Sequence, residues 1–179
     1  KHTLNLEWFT PTFWKFVLMN SMKIGAINEL PSKNDSPSYI PYNDRFIMGG
    51  NGIPYGNVLR GYDDNRVGPL TASGNPIGGN TLVKFSTEFR VPFAENHVVY
   101  GMIFAEMGNV WSSTDLMERL SLPRSGPLDL KRSVGVGVRF FMPMIGMLGF
   151  DFARGFDRVD NNGKLKPEWK TTLTFGQQF

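Results

Sequence analysis

The sequence predicts an all-β protein, an antiparallel β-barrel whose strands cross a membrane. Three observations carry that expectation. Segments with a two-residue alternation recur along the chain, and the connections between them are short and long in turn. In the best segments one face is apolar and aromatic while the other carries charge and glycine, the pattern of a membrane barrel with short periplasmic turns and long external loops. A soluble antiparallel sandwich would instead turn its apolar face into a core and leave its polar face merely solvated.

The first strand is read over Thr3 to Phe9, with Leu4, Leu6 and Trp8 on one face and Thr3, Asn5 and Glu7 on the other. A tight connection follows at Thr10 to Phe13, where Pro11 lacks the N–H that a ladder needs. The second strand runs from Trp14 to Ile27. Trp14, Phe16, Leu18, Met22 and Ile24 share one face against Lys15, Ser21, Lys23 and Gly25, with Asn20 interrupting the apolar row and Val17 and Met19 the polar one. Residues 28–79 show almost no sustained alternation and are rich in Pro, Gly, Asn, Asp and Ser, so they are expected to form one long loop that folds back into the barrel. A stretch of this kind inside a compact domain is expected only where it has a function.

Leu82 to Val91 has the cleanest pattern, with Val83, Phe85, Thr87, Phe89 and Val91 opposing Lys84, Ser86, Glu88 and Arg90. Pro92 to Asn96 turns the chain into a strand from His97 to Trp111, and Ser112 to Leu130, with Pro123 and Pro127, is a second long polar connection. Val134, Val136, Val138, Phe140 and Met142 then alternate with Gly135, Gly137 and Arg139 over a strand from Ser133 to Met142. After a turn at Met142 to Gly146, Leu148, Phe150 and Phe152 oppose Gly149, Asp151 and Ala153. Asp157 to Pro167 is the third polar loop, and the last strand, Lys170 to Phe179, sets Leu173, Phe175 and Phe179 against Thr172, Thr174, Gly176 and Gln178.

Composition removes several classes of function. A formal charge of +3 spread over 179 residues without a basic block argues against nucleic acid as a partner. No cysteine is present, which excludes disulfides, thiolate catalysis and cysteine-based zinc sites, and two histidines, His2 and His97, with no metal-ligand spacing predict neither metal nor cofactor. Val134 to Ala153 is long enough for a membrane helix, but Arg139 and Asp151 would each cost roughly 2.5–3.5 kcal/mol near a bilayer centre. Pro143 and the glycines of that window break a helix as well. Gly49, Gly50 and Gly52 lack the helix that follows a phosphate loop. Aligning DRVDNNG at Asp157 to Gly163 with a calcium loop puts Arg158 at the first ligand and Trp169 at the last, and so fails. No Ser, His and acid set has motif context, and Glu88 with Glu106 as a glycosidase pair would need a sugar cleft the sequence does not place. No catalytic residue is expected.

Seven strands are an odd number for a bacterial barrel, and an open sheet in lipid would leave two edges of unpaired backbone at a cost of several kcal/mol per group. The chain begins at Lys1 already inside a strand pattern, without an initiator methionine or a leader pattern. The expectation is therefore a piece of a larger barrel.

Leu59, Arg60, Gly61 and Tyr62, within NVLRGYDDNRVGP, resemble the VRGF-type motif of the BamA family of outer-membrane protein assembly factors. The segments IGGN at Ile77 to Asn80, the strand holding Glu88, FAEMGNVW at Phe104 to Trp111 and the final TFGQQF follow in that family's order. The resemblance thus covers most of the chain, as the family's last seven strands. It implies a sixteen-stranded barrel in the bacterial outer membrane, preceded by POTRA domains, with the first strands and the POTRA domains outside this chain. Residues 28–79 would be a lumenal loop, Arg60 its motif arginine, and Glu88 and Glu106 the partners of that arginine.

The implied function is the folding and insertion of β-barrel proteins. Unfolded outer-membrane proteins would be the substrates, with accessory assembly lipoproteins and outer-membrane lipid as partners, and no covalent bond would be broken. The last strand would form one side of a lateral seam through Leu173, Phe175, Gly176 and the terminal Phe179. Gly176 reads equally as a bend or as room inside the barrel, and Phe179 as a C-terminal signal or an interfacial ring. Two departures stand out: Leu59 and Tyr62 replace the first and last residues of the commonest motif, and the usual FxD is Phe104, Ala105, Glu106, longer by one methylene.

The residues also speak without the resemblance. Placing Glu106 inward places Tyr100, Met102 and Phe104 inward too, which suits a wall against which a loop packs. A guanidinium can serve two carboxylates, each contact near ~4 Å being worth about 4 kcal/mol at an effective dielectric of ~20 before desolvation. A solvated loop arginine, with the acids lining water, is the other reading the residues alone allow. The remaining functions are a two-partner secretion transporter of the same superfamily and a passive outer-membrane pore, which the number of upstream POTRA domains would separate.

Overall fold

The computed structural model describes residues 1–28, 40–52, 56–93, 99–112, 126, 129–143, 146–159 and 164–175. Seven strands form one sheet: β1 (His2–Pro11), β2 (Val17–Ala26), β3 (Thr81–Pro92), β4 (Val99–Trp111), β5 (Lys131–Met142), β6 (Gly146–Gly155) and β7 (Trp169–Phe175). Each is antiparallel to its predecessor and hydrogen-bonded to it, in the order β1 to β7. The connections after β1, β3 and β5 are short and leave one end of the sheet, whereas those after β2, β4 and β6 are long and leave the other. The only helical segment among the described residues is a 3-10 turn at Tyr42–Asp44.

Several strand boundaries shift by a few residues from expectation, the largest shift lying at the first turn. Pro11 stays in the ladder as the last partner of β1, opposite Val17. The next pair is closed by the Thr12 N–H donating to the Phe16 carbonyl at 3.0 Å, so the Pro11 nitrogen points away from β2 and costs this ladder no hydrogen bond. The turn therefore lies at Thr12 to Phe16, and Trp14, expected to open the second strand, sits inside it at φ 58°. The fourth strand was expected from His97 and is described from Val99, His97 lying outside the described residues.

The outward face carries Leu4, Leu6, Trp8, Ile103, Met107, Val134, Val136, Val138, Phe150 and Phe152, all exposed. Aromatic rings stack across neighbouring strands there, Phe140 on Phe150 at 6.0 Å and Phe152 on Trp169 at 4.7 Å. Asn20, which breaks the apolar row, is satisfied within the sheet because Thr87, directly opposite, donates its hydroxyl to Asn20 Oδ1 at 2.9 Å.

The inward face holds the buried polar residues Ser86, Glu88, Glu106, Ser133, Asp151, Thr172 and Thr174. What buries them is the long connection between β2 and β3. Its described part is knitted by single bridges rather than strands: Phe46 and Gly79 exchange both backbone hydrogen bonds at 2.8 Å, Met48 pairs with Asn57 and Val67, and Gly50 with Leu59. The hydrophobic core lies between this segment and the wall, with Phe46, Met48, Leu59, Tyr62 and Val67 packed on Ile27, Leu82 and Val110. Gly25 leaves the space on β2 that the Phe46 ring occupies.

The outward face is half exposed at Val136 (50 %), in the middle of the sheet. Val136→Arg should cost about 2–4 kcal/mol when the protein is refolded into lipid vesicles and titrated with urea. A change within about 0.5 kcal/mol, as at an ordinary water-exposed site, would show that this face does not meet lipid.

Candidate functional site: the arginine seat on the inner wall

The loop reaches the wall through its backbone. Leu59 is completely buried in the core. Gly61 follows Arg60 at φ 85°, a conformation that favours glycine. There the chain lies directly on β6: a Cβ on Gly61 would stand 2.8 Å from the Gly155 nitrogen, and one on Gly155 would stand 2.7 Å from the Gly61 carbonyl oxygen. Tyr62 completes the contact, its ring over Gly155 and its hydroxyl donating to the Arg132 carbonyl at 2.7 Å while accepting from the Asp157 N–H at 3.3 Å. Burial pushes the Tyr62 phenol well above its ordinary range, which keeps it a donor.

Arg60 is 3 % exposed. Its Nη2 donates to Glu88 Oε1 at 2.7 Å and to Glu106 Oε1 at 2.8 Å, and its backbone N–H donates to Glu106 Oε2 at 2.9 Å. One carboxylate thus holds both the head group and the main chain, and the extra methylene of Glu106 over an aspartate is accommodated in that double contact. Nη1 lies 3.6 Å from Asp151 Oδ1 and 3.7 Å from Met102 Sδ. The guanidinium carbon stands 3.5 Å from the centroid of the Phe104 ring, a cation–π contact in a largely buried site. Burial opposes the charge, but the attraction of Glu106 and then Glu88 overrides it, so the guanidinium is held above its ordinary range. Among its donors, Nε has no partner.

The inward glycines of β5 and β6 explain how large groups fit here. A Cβ on Gly135 would stand 2.6 Å from the Phe104 ring, and one on Gly137 would stand 3.1 Å from the end of Met102 and collide with the Asp151 carboxylate. Each wall acid also touches a wall cation. Lys84 lies 3.1 Å from Glu106, Arg90 2.7 Å from Glu88 and Arg139 2.7 Å from Asp151. Arg90 additionally stands between the rings of Phe9 and Tyr100, at 5.6 and 5.4 Å. No group of His, Asp and Glu among the described residues is arranged to hold a metal ion.

The sequence profile of the Omp85 superfamily domain matches residues 1–179. The chain belongs to the Omp85 superfamily. Among solved structures it is similar to the crystal structure of BamA from Haemophilus ducreyi lacking POTRA domains 1–3, with a TM-score of 0.70 and 20 % identity over 96 % of this chain and 34 % of that one. This Omp85 chain therefore spans about a third of that structure's length, and the two share an antiparallel barrel sheet. A search among curated proteins found no match. The superfamily makes it an outer-membrane β-barrel protein.

Of the residues singled out in the sequence, the structure brings Leu59, Arg60, Gly61, Tyr62, Glu88 and Glu106 into one cluster of this Omp85 sheet. Leu173 is elsewhere, on the outward face opposite Phe150, and Phe175 pairs with Leu148 at the last described position of the ladder. Gly176 and Phe179 lie outside the described residues. Two members of the site were not anticipated. Asp151 shares the inward parity of Glu88 and Glu106, with Arg139 two residues beyond its opposite number Gly137, and that cross-strand arrangement is the signal that would have found it. Asp63, next after the motif, pairs with Arg158 at 2.8 Å and with Lys170 at the start of β7.

Gly61→Ala places a methyl group against β6 in a conformation that costs roughly 1–2 kcal/mol on its own. The substitution should loosen the loop, seen as faster protease cleavage or hydrogen exchange within residues 56–68. Unchanged protection would show that the close approach to Gly155 does not hold the loop.

Proposed function

We propose that this chain is the C-terminal part of the membrane barrel of a bacterial assembly factor that folds and inserts β-barrel proteins into the outer membrane. The observation that carries the reading is the docking of Arg60, from the loop between β2 and β3, against Glu88 and Glu106 on the inward face of an Omp85 sheet. A wide pore needs a cleared lumen, whereas here the inner wall is occupied by a packed loop with its own hydrophobic contacts.

In this reading nothing is broken or formed covalently. Residues 28–79 act as a lumenal brace, and the barrel of sixteen strands is completed by strands outside the chain. The last strand, from Lys170 through Leu173, Phe175 and Gly176 to Phe179, forms one side of a seam at which substrate strands add by backbone pairing. Unfolded outer-membrane proteins are the substrates, accessory lipoproteins and lipid the partners.

Arg60→Glu should undock the loop and reduce assembly of a substrate barrel several-fold in a reconstituted insertion assay. Adding Glu88→Lys or Glu106→Lys should restore part of it, because the pair is rebuilt with reversed sign. No recovery in either double variant would sink the direct pairing. If insertion is untouched while export of a passenger protein falls, the chain is a secretion barrel instead. A disulfide placed between the last strand and the barrel's first strand should abolish insertion, and undiminished insertion would rule out a gating seam.

A further inference from the structure

The seat of Arg60 has a charge arrangement that a simple arginine–carboxylate lock does not need. Three carboxylates face the guanidinium, those of Glu88, Glu106 and Asp151. Each is bound at the same time by a cation fixed on the wall: Glu88 by Arg90, Glu106 by Lys84 and Asp151 by Arg139. These three acids and three cations sum to zero net charge, and Arg60 brings the seven groups to plus one.

Asp151 shows how far this goes. Its side chain has no exposure while the loop covers it, so its charge is met by the cations around it and not by water. Its nearer partner is not the loop. Arg139 donates to both of its oxygens, at 2.8 and 2.7 Å, whereas Arg60 stays at 3.6 Å. The wall is shaped for the pair: a Cβ on Gly137 would collide with the Asp151 carboxylate, and one on Gly149 would stand 2.6 Å from the Arg139 guanidinium carbon.

A buried carboxylate that loses its sole cation is strongly destabilising, and a covered seat of three acids with Arg60 as their one cation would depend wholly on it. We propose that Lys84, Arg90 and Arg139 keep the seat charge-balanced when the Arg60 guanidinium leaves it with the loop still in place, so that no covered acid is left without a cation. Asp151 and Arg139 are then positioning residues for the arginine, acting from beneath it. Charge balance in the seat bears on folding whether or not the barrel inserts other proteins, so folding and not assembly is measured.

The test is a double-mutant cycle on the full-length protein refolded in detergent micelles and unfolded with urea, using Arg60→Ala, Arg139→Leu and both together. Either single variant leaves Asp151 one cation, and the double leaves none. The folding equilibrium constant of the double variant should therefore fall at least about tenfold below the value expected from adding the single effects. Additive effects would overturn the proposal. If the double variant does not fold, Asp151→Asn is added to it; recovery of folding supports the proposal, and failure to recover overturns it.

Discussion

A guanidinium buried to 3 % exposure against one face of a sheet is the constraint to which the rest of this structure answers. Taking such a group out of water costs several kcal/mol, and only close acids with good geometry offset that. Glu88 and Glu106 must therefore share one face of adjacent strands, which the β3–β4 register provides by placing Ser86 opposite Glu106 and Glu88 opposite Phe104. The Phe104 ring beneath the guanidinium needs Gly135 on the next strand, and the loop backbone needs Gly155 on β6. A register slip of one residue anywhere between β3 and β6 would turn these groups to the other face and put aliphatic side chains in the seat.

The same constraint explains why the hydrophobic core is where it is. The outward face of the sheet is largely apolar and takes no part in it, while the core forms between a polar-rich loop and a charged wall. Phe46, Met48 and Leu59 come from a segment with no alternation, and they bury themselves because the loop bridges Met48 to Asn57 and Val67 before it meets the wall. Protein packs on the inner face and solvent or lipid meets the outer one, the reverse of a soluble sandwich.

How much of this was legible follows from the range of the interactions involved. Period-two alternation is local, so β3, β5 and the inward placement of Tyr100, Met102 and Phe104 could be read directly, as could the odd position of Asn20 in an apolar row. Its partner Thr87 could not, since a cross-strand pair depends on a register set by turns and by the whole ladder. Pro11 misled because the rule against proline in a ladder applies only where the N–H faces the paired strand, and β1 turns it away from β2. Asp151 was visible as an inward acid, but its contact with Arg60 needs the loop's position, which rests on single bridges that leave no periodic trace. Asp63 was hidden for the same reason, its partners Arg158 and Lys170 lying far along the chain.

Four consecutive residues of the loop connect most of the wall, and they do so with unequal strength. Arg60 engages β3, β4 and β6 through Glu88, Glu106 and Asp151, all at least nine-tenths buried. Gly61 lies on the end of β6, and Tyr62 bonds the Arg132 carbonyl at the start of β5. Asp63 reaches Arg158 and Lys170, but its side chain is 38 % exposed, and ion pairs of that kind are worth about 0–1 kcal/mol. The brace is therefore firm on the strands in the middle of the sheet and soft at β7, the edge of the described sheet. Because the soft contact involves only Asp63, its loss leaves the contacts of Arg60, Gly61 and Tyr62 and the packing of Leu59 in place.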